Sequence, residues 1–124
     1  MKIKNVMGFA VITMIFTATI LWAQAVKIND DTGSAVQISP RVAKNASGPS
    51  AIVWTDFRGS TKGDIYMQFL GSKGFPFPGK MNMKVNDDNG DADRGFPDVA
   101  IDKKGHPVVV WADKRNGFWT EVQS

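Results

Sequence analysis

Oxygen-bearing side chains recur at alternate places in Asp87-Asp88-Asn89-Gly90-Asp91-Ala92-Asp93. Calcium takes about six to eight oxygen ligands, and acidic loops with this alternation supply them. Asp87, Asn89, Asp91 and Asp93 are therefore the candidate calcium ligands. The EF-hand pattern is not met, because its sixth place holds Ala92 where that loop needs glycine. The alternative is a solvated acidic turn. A related stretch, Asp30-Asp31-Thr32-Gly33-Ser34-Ala35-Val36, lacks three of the four alternating carboxylate or amide positions.

Other chemistry is sparse, and no residue is assigned a catalytic role. His106, the only histidine, sits in a Gly-His-Pro turn without a Ser-His-Asp framework nearby in sequence, and reads as a surface residue. Tyr66, the only tyrosine, reads as a packing residue in a strand. Cysteine is missing altogether, which excludes thiol nucleophiles, thiolate metal sites and disulfides. Asn45-Ala46-Ser47 matches the acceptor pattern for N-glycosylation. Phe75-Pro76-Phe77-Pro78 either presents two rings to a sugar or peptide or plugs a gap between sheets. Lysine and arginine are scattered and interleaved with aspartate, unlike the basic stripe of a nucleic-acid binder.

These residues need a scaffold, and the first 25 residues do not belong to it. Lys2 and Lys4 precede an uncharged, largely apolar run from Met7 to Trp22, and Ala23-Gln24-Ala25 follows. That is the order of a secretory signal peptide. The apolar run is slightly short for a membrane span of about 20 residues. Cleavage after Ala25 is expected, giving a secreted, periplasmic or cell-surface protein. It removes two lysines and no acid, so the net charge falls from +3 to +1.

The remaining chain matches itself. Residues 26–67 align without gaps on residues 83–124, a shift of 57, and 14 of the 42 positions are identical. Pro40 meets Pro97, Gly48 meets Gly105, and Val53-Trp54-x-Asp56-x-Arg58 meets Val110-Trp111-x-Asp113-x-Arg115. Periods near 40–50 residues usually mean propellers or solenoids. Glycine, proline and Asn/Asp clusters punctuate the unit into short strands. The spacing predicts strands over Pro40–Lys44, Ala51–Asp56, Asp64–Phe69 and Met81–Val85. Ala51 to Asp56 is apolar on both faces, so it is expected to be covered on both sides.

Asn-Asp-Asp, Pro-x-Val-Ala, Gly, Val-Trp-x-Asp-x-Arg and Asp-Ile-Tyr-x-Gln follow one another across the whole exported part. That order resembles the blades of secreted bacterial β-propeller proteins, broadly the sialidase-like ones. The strict Asp-box, Ser-x-Asp-x-Gly-x-Thr-Trp, does not occur. The resemblance implies an all-β fold: about two consecutive antiparallel propeller blades, 26–82 and 83–124, of an incomplete propeller. Trp54 and Trp111 are the expected blade anchors. A spacing of two puts Asp56 and Arg58, and likewise Asp113 and Arg115, on one side of the chain as carboxylate–guanidinium pairs.

Propellers close with about four to eight blades. The expected partners are therefore further blades of a longer chain, or identical chains assembled in a ring. The fragment is the preferred expectation. The expected function is a non-catalytic propeller segment, scaffold or binding module for a glycan or protein ligand. The alternative is part of a sialidase-like glycoside hydrolase. That enzyme would need unrepeated acids, tyrosine and arginines converging on one funnel, and the single glutamate, Glu121, aligns with Asp64 of the first copy.

Overall fold

The computed structural model describes residues 25–87 and 90–117, and the backbone of 121–123. The export signal read over residues 1–25 lies, Ala25 apart, outside the described residues. Among the described residues there are seven strands and no helix: β1 (Gln37–Lys44), β2 (Ser50–Asp56), β3 (Asp64–Leu70), β4 (Met83–Lys84), β5 (Arg94–Ile101), β6 (Pro107–Asp113) and β7 (Glu121–Gln123). Each pairs antiparallel with its neighbour in sequence, giving an open four-stranded sheet, β1 to β4, and an open three-stranded sheet, β5 to β7. The fold is all-β. No helix among these residues is long and apolar enough to cross a membrane.

The strands begin where local chemistry allows. β1 and β5 start earlier than a reading from the prolines suggests. Proline cannot donate to a ladder, so Pro40 and Pro97 sit inside bulges, between Ile38 and Arg41 and between Gly95 and Asp98. The residue before each proline, Ser39 or Phe96, takes φ 54°, a left-handed conformation that costs about 1–3 kcal/mol and must be held by the surrounding ladder. The turns are built alike. Asn45 N–H donates to the Pro49 carbonyl at 2.8 Å, and its side-chain oxygen accepts from Ser47 N–H at 2.8 Å. Asp102 N–H donates to the His106 carbonyl at 2.9 Å, and its carboxylate accepts from Lys104 N–H at 2.8 Å. Gly48 and Gly105 close these turns at φ 128° and 90°, where a side chain would strain the backbone. β1 and β5, β2 and β6, and β3 and β7 start at positions separated by the same 57 residues that align the sequence.

The two sheets pack face to face. Ala51 and Val53 of β2 and Ile65 and Met67 of β3 meet Val109 and Trp111 of β6, with Phe69, Val85, Val99 and Ile101 around them. Ala51, Val53 and Ile65 are completely buried. Apolar burial at about 25 cal/mol per Å² makes this seam the main cohesive surface. On the opposite face of β2 the Trp54 ring stacks on Tyr66, 6.4 Å between centroids and 25° between planes, and Val42 stands 67% exposed. The outer face of β6 is open, with Val108 56% exposed.

Gly63, just before β3, stands tightly between the Arg94 backbone and Thr55. A Cβ there would stand 2.5 Å from the Arg94 carbonyl and 2.5 Å from the Thr55 methyl. Gly63→Ala is expected to cost about 1–3 kcal/mol by overpacking, read as a lower urea midpoint with an unchanged slope. A midpoint equal to the parent's would mean that Arg94 and Thr55 stand further from Gly63.

Candidate functional site

Two polar clusters flank the seam. The first is organised by Arg58, just beyond β2. Trp54 Nε1 donates to Asp56 Oδ2 at 2.8 Å, and Arg58 Nη2 donates to the same oxygen at 2.7 Å. The other carboxylate oxygen accepts from Arg58 N–H at 2.9 Å. The guanidinium also reaches Asp30, Asn29 at 2.9 Å and Asn82 at 3.1 Å, and lies over the Tyr66 ring at 4.3 Å. Asn82 in turn donates to Gln68 at 2.8 Å and to the Ile28 carbonyl at 3.0 Å. The cluster clasps the leading segment 28–30 and the approach to β4 onto β2 and β3. Sequence reading named Asp56 and Arg58 but missed Asn29, Asp30 and Asn82. The recurrence of Asn29-Asp30 as Asn86-Asp87 was the available signal.

The second cluster joins the sheets. Arg94, 2% exposed at the start of β5, donates to Asp64 at 3.2 Å, to the Ala92 carbonyl at 2.9 Å and to the Gly90 carbonyl at 3.0 Å. Its Nε stands 3.5 Å from Asp113 Oδ2, on a carboxylate with no exposure. Asp113 also takes Arg115 Nη2 at 2.7 Å and Arg115 N–H at 2.8 Å, the same local pattern as Asp56 with Arg58. One difference separates the two tryptophans. Trp54 Nε1 has its carboxylate, whereas the buried Trp111 Nε1 finds no acceptor among the described residues. At that point Arg94 has taken the neighbourhood of Asp113. Arg94 was not singled out from sequence, although it replaces Gln37 of the first copy.

The acidic loop is held by cations of the protein. Asp93 is drawn toward Lys62 at 3.5 Å and Lys114 at 3.9 Å, and the carbonyls of Gly90 and Ala92 face Arg94. Asp87 and Asp91 are exposed. Asn89, the remaining calcium candidate, lies outside the described residues. Among the described residues no three Asp, Glu, His or Cys side chains stand together in a metal-binding group.

The remaining candidates are spread apart. His106 is exposed and its Nδ1 lies 3.1 Å from Asp102, within one turn. Asn45 of the glycosylation pattern is buried, its amide donating to the Asp102 carbonyl of the other sheet at 2.6 Å. That amide bridges the two turns. Phe75 and Phe77 are 51% and 45% exposed, and Phe77 lines a cleft with the exposed Met81 and Met83. A polar cleft of about 340 Å³ lies between Tyr66, Asp64, Lys84 and Arg94, but Asp64 is already engaged by Lys84 at 3.1 Å, by Arg94, and by Asn86 at 3.0 Å.

Burial alone would raise the Asp56 carboxyl, yet the hydrogen bonds from Arg58 and Trp54 outweigh it and hold it below the ordinary carboxylate range. Asp30 and Asp113 are lowered in the same way, against burial, by Arg58 and Arg115 respectively. The opposite partner shifts correspondingly: the Asp56 bond raises the Arg58 guanidinium, against burial. In the unfolded chain these carboxyls titrate near 3.9. The unfolded state therefore binds protons first as pH falls. Their contribution is complete above about pH 4 and is lost as pH falls through the lower folded values. Urea midpoints are expected to fall steeply below about pH 4, and Asp56→Asn to flatten that fall. A midpoint that rises on acidification would contradict the pairing.

Comparison with protein-family models, with curated proteins and with solved structures gives no match.

Proposed function

We propose that the chain is a non-catalytic β-propeller segment of an exported or cell-surface protein, a scaffold and binding module built from two successive blade-like sheets. One observation carries this reading. The same shift of 57 residues relates strand starts, bulges, left-handed residues, turn bonds and the Asp–Arg pairs of two sheets that lie face to face. Stacking of like sheets through unlike faces is how propeller blades bury themselves. The non-catalytic half rests on where the charges go. Arg58, Arg94 and Asp64 are engaged by partners within the protein, and Tyr66 lies between Trp54 and the Arg58 guanidinium.

The test is turnover. The purified full chain is incubated with a panel of fluorogenic glycosides, sialosides included, and is expected to release no fluorophore above blank. Turnover that Tyr66→Phe or Asp64→Asn abolishes would overturn the reading in favour of a sialidase-like hydrolase.

A further inference from the structure

The contact between the sheets joins two different surfaces: the Trp111 face of the second sheet and the Val53 face of the first. Each sheet has both kinds of face, and one of each is in use. The Trp54 face of the first sheet and the Val108 face of the second remain.

Both are the counterparts of surfaces already mated. On the Trp54 face, Val42 is 67% exposed, and Ile28, Ile38, Pro40, Ile52 and Trp54 line a cleft of about 370 Å³. The counterpart of Val42, Val99, is packed into the seam. The counterparts of Ile28, Ile52 and Trp54 are Val85, Val109 and Trp111, and Met67 of the first sheet lines that cleft with them. On the other side, Val108, Val110 and Ala112 are exposed or half-buried, whereas their counterparts Ala51, Val53 and Thr55 are 0%, 0% and 1% exposed. Charge adds a direction. The register puts Lys44 on the Trp54 face, where the inner seam has Ile101, and Asp98 on the Val108 face, where the inner seam has Arg41.

We infer that the Trp54 face receives the Val108–Val110–Ala112 face of a second copy of this chain, head to tail, repeating between molecules the contact made within one. The inference rests on the reading of the sheets as successive blades. It names this occupant because both halves of the contact stand on the same molecule, with a lysine on one and a carboxylate on the other. A head-to-tail contact either closes into a ring or continues as a filament. With about four to eight blades to a propeller, two to four copies of the two described sheets complete the ring.

The full chain, purified as the cell leaves it, is expected to elute as one discrete dimer, trimer or tetramer by light scattering. Val42→Glu and Val108→Glu each spoil one outer face and leave the inner seam alone. Each is expected to give a monomer with unchanged β-sheet circular dichroism. Mixed one to one, they are expected to form a single heterodimer, because each keeps the face that the other has lost. The exposed charges give a second pair: Lys44→Glu and Asp98→Lys each weaken assembly, and together restore it. A wild-type monomer, single variants that stay assembled, or a mixture that stays monomeric would overturn the inference. With a β-sheet spectrum those results remove only the second copy as partner. A helical spectrum would instead remove the blade reading beneath it.

Discussion

Trp111→Ala lowers the unfolding free energy by about 3–5 kcal/mol. The indole is 6% exposed and packs at the centre of the seam with Val53, Ile65 and Met67. Its removal takes away the largest ring in that cluster and leaves a cavity whose walls belong to two sheets, which collapse poorly onto each other. Domains of this size are stable by about 5–15 kcal/mol, so the loss is a large share of the total. Urea denaturation followed by circular dichroism measures it. A change under about 1 kcal/mol would place Trp111 outside a packed seam.

Arg94→Met is expected to cost about 3–5 kcal/mol as well, because breaking a buried ion network leaves carboxylates without their counter-charge. Asp113 has no exposure and keeps only Arg115, while Asp64 keeps Lys84 and Asn86. The carbonyls of Gly90 and Ala92 lose their donor at the same time. Arg94→Lys is expected to recover little. An ammonium lacks the planar fork that serves Asp64, Asp113 and two carbonyls from one position. A lysine variant with parental stability would reduce Arg94 to a simple point charge.

Much of this fold was legible in short stretches. The strand positions follow from alternating apolar residues bounded by Asn45–Gly48 and Asp102–Gly105, whose turn chemistry is local. The pairing of Asp56 with Arg58 follows from a spacing of two and an extended backbone. The bulges were not legible. Pro40 and Pro97 look like strand starts because proline cannot donate, yet the ladder resumes on their far side at Gln37 and Arg94. The polar clusters were legible only in part, because their members come from distant positions. Asn82 meets Asp30 across 52 residues, and Arg94 meets Asp64 across 30. The acidic loop shows the same limit. Asp93 pairs with Lys62 and Lys114, and the Gly90 and Ala92 carbonyls with Arg94, all partners from outside the alternating run of oxygens. Nothing in residues 87–93 signals them.

The Trp111 face of one sheet lies on the Met67 face of the other. The cross-peaks between the Met67 methyl and the Trp111 ring protons in a nuclear Overhauser spectrum test it most directly. These groups share one buried cluster and one cleft, so strong cross-peaks are expected, joined by others from Trp111 to Val53 and Ile65. A Trp111 ring with cross-peaks only to its own sheet would contradict the stacked arrangement and, with it, the blade reading.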